Sequence, residues 1–307
     1  MQIYRSIEEA QIDCPTVITV GTFDGLHLGH QQIIDRLREQ AEENDCLQLL
    51  ITFHPHPKTV VGLQEKKKIQ LLTTLDEKLD VLEKLKVQAT LVIPFTQEFS
   101  QTSYQDFVKK ILFERLKVRA MVIGYDHAFG HNRQGHPEQL KAISRELGFS
   151  VTVVEPYIID GEIVSSTRIR EYLFDGQVEK ANKLLGRPYS LHGKVIKGDR
   201  RGHVIGFPTA NIHVENPYKL IPRQGVYAVD VYIERKKYRG MMNIGYRPTF
   251  NFDPLTLETH IINFSGSLYN KPIEVEFLKF VREEKKFFSE NELRKQLIAD
   301  KKICSEI

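Results

Sequence analysis

An apolar strand runs directly into a glycine- and histidine-rich turn at residues 16–30, which read TVITVGTFDGLHLGH. The glycines at positions 21, 25 and 29 permit close backbone turns, and apolar residues at helical spacing begin shortly after residue 31. A strand, a glycine-rich turn and a helix in this order are typical of the carboxyl edge of an open α/β sheet, where nucleotides bind. The segment therefore predicts a parallel sheet with an anion-binding turn after this strand.

Short apolar segments alternate with amphipathic ones from residue 16 to about residue 155. This alternation is the pattern of a parallel sheet covered by helices. Helical spacing of apolar residues predicts helices around residues 33–41, 75–82 and 107–112. The strands are predicted at residues 16–20, 47–53, 89–95, 118–124 and 150–154. We expect a doubly wound α/β domain with a parallel sheet.

A change of hydrophobic period marks a second domain. Two short helices are predicted at residues 167–174 and 178–185, and Gly186 supplies a helix stop. The chain of 307 residues is about twice the length of a typical domain, which also favours two domains. We predict a first domain over residues 1–186 and a second over residues 187–307.

The second half alternates apolar and polar side chains with the period of a β-strand. Residues 227–233 and 273–277 both follow this pattern, which predicts antiparallel strands with one buried face. Ser289 and Glu292 have the spacing of a capping box and predict a terminal helix to about residue 301. We expect a mainly antiparallel β domain with a C-terminal helix.

Charge and cysteine content exclude several classes of partner. Lys and Arg number 43 against 40 Asp and Glu, and the basic runs are isolated, so nucleic-acid binding is not expected. No run of about 18 apolar residues and no signal-like N-terminus occurs, so membrane anchoring is not expected either. Cys14, Cys46 and Cys304 show no paired spacing, which supports neither disulfides nor zinc. We expect a cytoplasmic protein, and the sequence leaves self-association open.

The turn at residues 21–30 has the composition of a phosphate site. Glycines let the backbone approach phosphate oxygens, and the start of the new helix points N–H groups and a positive dipole end towards them. His27 and His30 lie one helical turn apart and can face the same anion. Two alternatives stay open: a His-x-x-His zinc pair, for which no third ligand is evident, and a purely structural turn.

A second motif, VSSTRIR at residues 164–170, combines three hydroxyls with two arginines at the start of a predicted helix. Ser165, Ser166 and Thr167 can cap that helix or donate to phosphate oxygens, and Arg168 can bind a phosphate through paired donors. Taken alone, such a run is more often a helix cap. Beside the first motif in one predicted domain, phosphate binding is the stronger interpretation.

Together, GTFDGLHLGH and VSSTRIR resemble the paired signatures of the nucleotidyltransferase superfamily, and with TFHPHP at residues 52–57 they resemble its FAD synthetase branch. The resemblance implies adenylyl transfer from ATP to FMN with release of pyrophosphate, which needs positioning and charge stabilisation rather than a nucleophile. It implies catalytic roles for His27 and His30. From the residues alone His54 and His56 are structural or surface histidines, whereas the resemblance implies that their loop contacts the active site. The implied ATP and phosphate contacts are Gly21, Phe23, Asp24, Gly25, Gly29, Asp126, Ser165, Ser166, Thr167 and Arg168.

The loop GYDHAFGHNRQG at residues 124–135 is similar to the family's loop after the fourth strand, which helps to bind the adenine nucleotide. Asp126 fits that pattern, whereas His127 stands where an aromatic residue, usually Phe, is expected. The wall of the adenine pocket is therefore expected to differ from the family's usual form.

A third segment, GKVIKGDRRGHVIGFPTANI at residues 193–212, combines glycines and basic residues before a Phe-Pro-Thr-Ala-Asn run. Such a loop suits ATP phosphates, and Thr209 and Asn211 offer oxygen ligands suited to Mg²⁺. The alternative is a β-hairpin with polar turn residues, which is preferable for residues 198–202 taken alone.

PTAN in this setting resembles the riboflavin kinase module, a small antiparallel barrel, and PRQGVYAV, MMNIGYRPTF, LETHIINF and FVREEKKF continue the resemblance to the C-terminus. It implies phosphoryl transfer from ATP to the 5′-hydroxyl of riboflavin, with Glu258 as the base that takes the hydroxyl proton. From the residues alone, a glutamate on the solvent face of a strand is the better interpretation. The implied ATP and flavin contacts are Gly193, Lys194, Gly198, Gly206, Pro208, Thr209, Asn211, Asn243 and Arg247.

The order of the two modules resembles the bacterial bifunctional riboflavin kinase/FAD synthetase family. The resemblance implies conversion of riboflavin to FMN and of FMN to FAD, with ATP and Mg²⁺ in both steps. A single-activity relative and a flavin-sensing regulator are the alternatives. The flavin products formed from riboflavin, ATP and Mg²⁺ would distinguish the three.

Overall fold

A computed structural model of the chain describes residues 1–61, 69–126, 136–198, 205–246 and 255–307. The described chain forms two compact units, residues 1–165 and residues 166–307. The two short helices predicted to end the first domain group with the second unit. The functional boundary predicted between residues 186 and 187 stays a prediction.

The first unit is built on a six-stranded parallel sheet with the strand order β1-β4-β3-β2-β5-β6. This order confirms the doubly wound α/β architecture. The five predicted strands are present, and β1 was not predicted because three residues are too few to show a period. The strands are β1 Gln2–Tyr4, β2 Thr16–Val20, β3 Leu47–His54, β4 Ala89–Pro94, β5 Val118–Gly124 and β6 Ser150–Val154. A short hairpin, β7 Ile158–Ile159 with β8 Glu162–Ile163, follows.

Helices connect the strands of this sheet. The helix after β5 was not predicted, although Pro at its start and Gly148 in a left-handed conformation at its end are ordinary helix boundaries. The segment predicted as a helix at residues 107–112 is a π-helix, Phe107–Arg115, which continues the short helix Tyr104–Asp106. The helices are α1 Leu28–Glu43, α2 Pro57–Val60, α3 Leu75–Lys84, α4 Tyr104–Asp106 and α5 Pro137–Leu147.

Both faces of the parallel sheet are buried. Successive residues of β2 point to opposite faces: Val17 packs with Leu37 of α1, whereas Ile18 belongs to the cluster that contains Phe107 and Leu140. In an open α/β sheet of this kind, ligands bind at the carboxyl edge of the strands. The strand order reverses between β2 and β5, so the turn after β2 lies at the switch point.

The second unit is a closed antiparallel barrel with the strand order β10-β13-β12-β11-β14-β9. This confirms the predicted antiparallel domain and its C-terminal helix. The strands are β9 Tyr189–Ile196, β10 Ala210–His213, β11 Gly225–Ile233, β12 Lys236–Gly245, β13 Thr256–Ile261 and β14 Pro272–Arg282. The helices are α6 Ser166–Phe174, α7 Val178–Leu185 and α8 Glu290–Glu306. Within the described ranges, we find no helix with the length and apolar character needed to cross a membrane.

The C-terminal helix is fastened to the barrel by apolar packing and by a buried ion pair. Cys304 of α8 packs in one cluster with Phe207, Ala228 and other barrel residues. Asp300, which is fully buried, accepts from the Arg282 guanidinium at 2.7 Å. This packing places Phe207, the first residue of the FPTAN run, in the core.

Candidate active sites

The turn after β2 is held in a contorted backbone conformation. Phe23, Gly25 and Leu26 all have left-handed φ angles, of 46°, 85° and 44°. Such angles are strained for Phe and Leu, so surrounding contacts must hold them. The Gly21 N–H donates to the Ile51 carbonyl at 3.0 Å, and the Gly25 N–H donates to the Thr73 hydroxyl at 3.1 Å.

The two histidines of the motif are brought together at the start of α1. His27 is the N-cap residue: its Nδ1 accepts from the His30 backbone N–H at 3.3 Å. The two imidazole rings stack, with centroids 3.6 Å apart and planes at 18°. Because Nδ1 of His27 is an acceptor, the neutral ring carries its proton on Nε2. That N–H lies on the residue that caps a 16-residue helix, and the contact of the pair with an anion stays a prediction.

Phe23 and Asp24 are turned into the protein. Phe23 is 3 % exposed and its ring meets His30 edge to face at 5.3 Å. Asp24 is also 3 % exposed, and its carboxylate accepts from the backbone N–H groups of Leu72 and Thr73, both at 3.0 Å. Both residues shape the turn, and their contact with ATP stays a prediction.

Other predicted residues of this site lie on neighbouring segments. Asp126 follows the end of β5, and its Oδ1 lies 3.4 Å from the place where a Cβ on Gly124 would be. A Cβ on Gly29 would lie 3.3 Å from the His27 Nδ1 and 3.6 Å from the Val164 carbonyl oxygen. The Val164 carbonyl, directly before Ser165, therefore lies against the first turn of α1, and the contact of Ser165 with phosphate stays a prediction.

The rest of VSSTRIR belongs to the second unit, where it forms the first turn of α6. The Arg168 guanidinium pairs with Glu171 at 3.0 Å and lies 4.5 Å from the centroid of the Tyr172 ring. Ser166 and Thr167 lie directly before it. The predicted contacts of Ser166, Thr167 and Arg168 with phosphate stay predictions.

The two histidines of TFHPHP lie at the end of β3 and just after it. Burial lowers the pKa of His54, and the charge of Lys78 lowers it further. His56 caps the short helix α2, because its Nδ1 accepts from the Lys58 N–H at 3.2 Å. The structure thus gives His56 a capping role, and the contact of either histidine with a nucleotide stays a prediction.

The barrel brings the predicted kinase residues together around Glu258 of β13. Strand pairing places Asn211 of β10 opposite Glu258 on one side and Asn243 of β12 opposite it on the other. Residues paired directly across antiparallel strands share a face of the sheet. Thr209, just before β10, has its hydroxyl 3.4 Å from the Glu258 Oε2. A carboxylate, a hydroxyl and two amides therefore meet on one face.

The FPTAN run is fixed from two sides. Phe207 is buried in the cluster under α8, and the Pro208 carbonyl accepts from the Nδ1 of His260 at 2.8 Å. His260 was missed in the sequence, although it follows Glu258 by two residues on one strand and the period of 2 places it on the same face. The Nδ1 carries the proton of this hydrogen bond, because a carbonyl oxygen only accepts, and burial lowers the pKa of His260 and so favours the neutral ring.

Acidification should destabilise the barrel through His260. Because its folded pKa lies below the ordinary 6.5, the folded state binds fewer protons, and the stability present above pH 6.5 is lost as the pH falls. The variant His260→Asn retains a donor at the Nδ1 position but does not titrate. When the pH is lowered from about 7.5 to about 5.5, the free energy of unfolding measured with urea should therefore fall more in the wild type than in this variant. His213→Gln, at an exposed position of β10, should behave like the wild type, and equal losses in all three proteins would refute the role of His260.

The glycines predicted for this site have different surroundings. A Cβ on Gly198 would lie 2.1 Å from the Asn211 Nδ2, so this glycine leaves room for the Asn211 amide. A Cβ on Gly193 would lie 2.6 Å from the His213 carbonyl, a contact between β9 and β10. Gly206 has φ of 83° in the turn before Phe207. Ligand contacts of Gly193, Gly198 and Gly206 stay predictions.

Two further predicted residues of the kinase site, Lys194 and Asn243, form contacts with carboxylates. Lys194 lies on β9 and pairs with Glu215 at 3.6 Å, and its contact with ATP stays a prediction. The Asn243 amide donates to Glu284 at 3.1 Å, which adds a second carboxylate that the sequence did not indicate. Arg247 and His127 lie outside the described residues, so their predicted roles have no structural account.

Two known families match successive parts of the chain. The family described as FAD synthetase matches residues 9–168, and the family described as riboflavin kinase matches residues 185–307. The first match contains the histidine pair, and the second contains Glu258 and the FPTAN run. Each candidate site therefore falls within one of the two matches.

Curated relatives match over nearly their whole length. Proteins described as bifunctional riboflavin kinase/FMN adenylyltransferase are 38 % identical in Listeria monocytogenes, 37 % in Bacillus subtilis and 34 % in Escherichia coli K12. These alignments cover 94 %, 97 % and 94 % of this chain, and 91 %, 93 % and 92 % of the relatives. A solved structure from Streptococcus pneumoniae, described as a macrolide-efflux protein, has a TM-score of 0.89 at 29 % identity and covers 99 % of this chain and 98 % of its own.

Proposed function

Because the chain belongs to the family of bifunctional riboflavin kinase/FMN adenylyltransferases, we propose that it divides the two reactions between its two candidate sites. The protein is an ATP-dependent transferase that phosphorylates riboflavin to FMN and adenylylates FMN to FAD. The barrel, within residues 187–307, carries out the first reaction and releases ADP. Residues 1–186 carry out the second and release pyrophosphate.

The observation that carries the kinase assignment is the group around Glu258. A hydroxyl that attacks the γ-phosphate must lose its proton, and a carboxylate within hydrogen-bond reach can accept it. Glu258 is flanked by Asn211 and Asn243 on its neighbouring strands, and the Thr209 hydroxyl approaches its carboxylate. We assign Glu258 as the base and its neighbours as groups that orient ATP and riboflavin.

Adenylyl transfer differs from phosphoryl transfer to riboflavin in that it needs no general base. A phosphate oxygen of FMN attacks the α-phosphate of ATP, so no proton has to be removed and no protein nucleophile is needed. The requirement is a set of fixed donors at the α-phosphate, which the stacked His27 and His30 at the start of α1 can supply. We assign Ser165, Ser166, Thr167 and Arg168 to the outer phosphates that leave as pyrophosphate.

The residues of the barrel site fit Mg²⁺. The Thr209 hydroxyl lies 3.4 Å from the Glu258 carboxylate, Asn211 is paired with Glu258 across the strands, and oxygen atoms such as theirs are the ligands that Mg²⁺ prefers. We assign Thr209 and Asn211 as the residues that would hold it with ATP. When bound, Mg²⁺ would neutralise charge on the phosphates. Among the described residues, no group of three or more His, Cys, Asp or Glu side chains could hold a metal ion.

We place the protein in the cytoplasm. Its three cysteines are free thiols: Cys14 is exposed, Cys46 is half-buried and Cys304 is buried. Free thiols persist in a reducing compartment. The measurement that tests this assignment is fractionation of the native cells, with both activities expected in the cytosolic fraction and neither in the membrane fraction.

Filling the space at Gly198 should impair the kinase reaction alone. In Gly198→Ala the new Cβ would collide with the Asn211 amide, which then has to leave its position beside Glu258. We expect the kcat of FMN formation to fall by roughly tenfold, because small displacements of positioning groups are costly. Adenylylation of added FMN in the same protein should be unchanged. In an Asn211→Ala background the substitution should have no further effect, and an undiminished loss there would show that Asn211 is not involved.

A time course with riboflavin, ATP and Mg²⁺ tests the whole assignment. Separation of the flavins should show FMN first and FAD after it. A single product would indicate a relative with one active module, and bound flavin without any product would indicate a flavin-sensing regulator. Either result would contradict the proposed function.

A further inference from the structure

A buried lysine lies beneath the turn that follows β2. Lys78 belongs to α3 and is only 5 % exposed, and neither reaction assigned above uses it. An ammonium group is costly to bury unless hydrogen bonds and charges compensate for the lost water. The contacts that compensate Lys78 therefore indicate what its position achieves.

The Lys78 ammonium is directed at one carbonyl of the turn. Its Nζ donates to the Thr22 carbonyl at 2.6 Å and to the Thr52 hydroxyl at 3.1 Å. The Thr52 hydroxyl in turn donates to the same Thr22 carbonyl at 3.2 Å. Two donors from two different elements thus converge on Thr22, the second residue of the GTFDG turn.

The carbonyl of Thr22 lies next to the strained part of the turn. Phe23 follows it with a left-handed φ of 46°, and the buried Phe23 ring meets the His30 ring at 5.3 Å. His30 stacks on His27. A displacement at Thr22 would therefore reach the histidine pair through Phe23. Lys78 is the charged group that fixes the Thr22 carbonyl, from which these contacts continue through Phe23 to His30 and His27.

The electrostatic surroundings of Lys78 support a functional reason for its burial. Asp24 of the turn and His54 at the end of β3 face the ammonium, and Asp76 of α3 acts on His54. Burial lowers the pKa of Lys78 to about 8, although the charge of Asp24 acts in the opposite direction. Below that pH Lys78 carries a buried positive charge, which lowers the stability of the fold. Buried charges that lower stability in this way are concentrated at functional sites.

We propose that Lys78 is a positioning residue for adenylyl transfer, which holds the Thr22 carbonyl and thereby sets the GTFDG turn and the His27 and His30 pair. The proposal rests on the assignment of this turn to adenylyl transfer. Lys78 acts through the backbone and the Phe23 ring and does not itself touch the reacting phosphate.

The variant Lys78→Met tests this role because it keeps an unbranched apolar stem of nearly the same length and removes the ammonium. We expect the kcat for FAD formation from FMN to fall by about ten- to a hundredfold, with a smaller change in KM. Phosphorylation of riboflavin by the barrel of the same protein should be unchanged. Lys84→Met, at an exposed position on α3, is the matched control and should keep both activities. Undiminished FAD formation by Lys78→Met would overturn the proposal.

The pH dependence distinguishes positioning from a merely structural role. In the wild type, FAD formation should decline with a single ionisation near pH 8, as the ammonium loses its charge and its bond to Thr22 weakens. This decline should be absent in Lys78→Met. If that variant does not fold, the wild-type profile still decides, since a rate that stays level from pH 7 to about 9.5 would refute the role of Lys78.

Two variants distinguish an error in the role of Lys78 from an error in the assignment of this turn to adenylyl transfer. If His27→Asn leaves FAD formation intact, the turn does not serve adenylyl transfer at all. If His27→Asn abolishes FAD formation while Lys78→Met does not affect it, only the role of Lys78 is wrong.

Discussion

Replacing Glu258 with glutamine should slow riboflavin phosphorylation by about 10²- to 10⁴-fold, the range usual for loss of a general base. The amide can still accept a hydrogen bond from Thr209, which lies 3.4 Å from the carboxylate, but it cannot take the proton of the attacking hydroxyl. The arrangement of the site should therefore be retained, whereas proton transfer from the attacking hydroxyl should be lost. The rate of FMN formation at saturating riboflavin and ATP measures this, and KM for riboflavin should change little.

The control for this exchange is Glu234→Gln. Glu234 is an exposed residue between β11 and β12 that pairs with Lys271, so the same chemical change there should leave both activities intact. Adenylylation of added FMN should also be normal in Glu258→Gln. A rate of FMN formation within about threefold of the wild type would remove Glu258 from the role of base, since a general base contributes far more.

Replacing His27 with asparagine should reduce FAD formation from FMN by about 10²- to 10³-fold, as expected for loss of a donor to a developing phosphate charge. Asparagine is a good N-cap residue and can accept from the His30 N–H as the Nδ1 of His27 does. It lacks a group at the Nε2 position and cannot stack on His30. The variant therefore separates the capping role of His27 from its role at the α-phosphate, and FMN should accumulate when riboflavin is supplied.

A second helix of the same unit offers the matched control. His136 is the N-cap residue of α5, and its side chain makes no capping hydrogen bond. His136→Asn should preserve both activities and should not weaken the helix. If His27→Asn formed FAD at the normal rate, the histidine pair would have only a structural role.

Local patterns were sufficient for most of the fold. The five longer strands of the sheet show as apolar segments, and the alternation of apolar and polar residues over 227–233 is enough to identify β11. The strand β1 could not be predicted, because Gln2–Tyr4 becomes a strand only by pairing with β4, where Gln2 is the partner of Ala89. Closure of the barrel is non-local in the same way, since it depends on the pairing of β9 with β14.

At the first site, the positions of the two histidines could be predicted from sequence, but the long-range contacts of Asp24 and Lys78 could not. The spacing of His27 and His30 predicted that they face one anion, and the stacked rings agree with their placement on one side of the helix. The motif could not reveal that Asp24 is satisfied by backbone groups 48 and 49 residues away. Lys78 has no signal of its own, because a lysine in an amphipathic helix is usually exposed. Only the folded contact with Thr22 distinguishes it.

The second site depends on register. Thr209 and Glu258 are 49 residues apart, and their proximity follows from the pairing of β10 with β13. His260 could have been found from the strand period, once Glu258 was taken as a site residue. Its hydrogen bond to Pro208 could not, because nothing in the sequence aligns the two segments.

The central claim is that each reaction belongs to one of the two sites, and product analysis of two variants tests it most directly. Wild type, Glu258→Gln and His27→Asn are each given either riboflavin or FMN, with ATP and Mg²⁺, and the flavins are separated. We predict that Glu258→Gln leaves riboflavin unchanged but converts FMN to FAD, and that His27→Asn converts riboflavin to FMN and stops there. Loss of both reactions in either variant, or of the opposite reaction, would contradict the division.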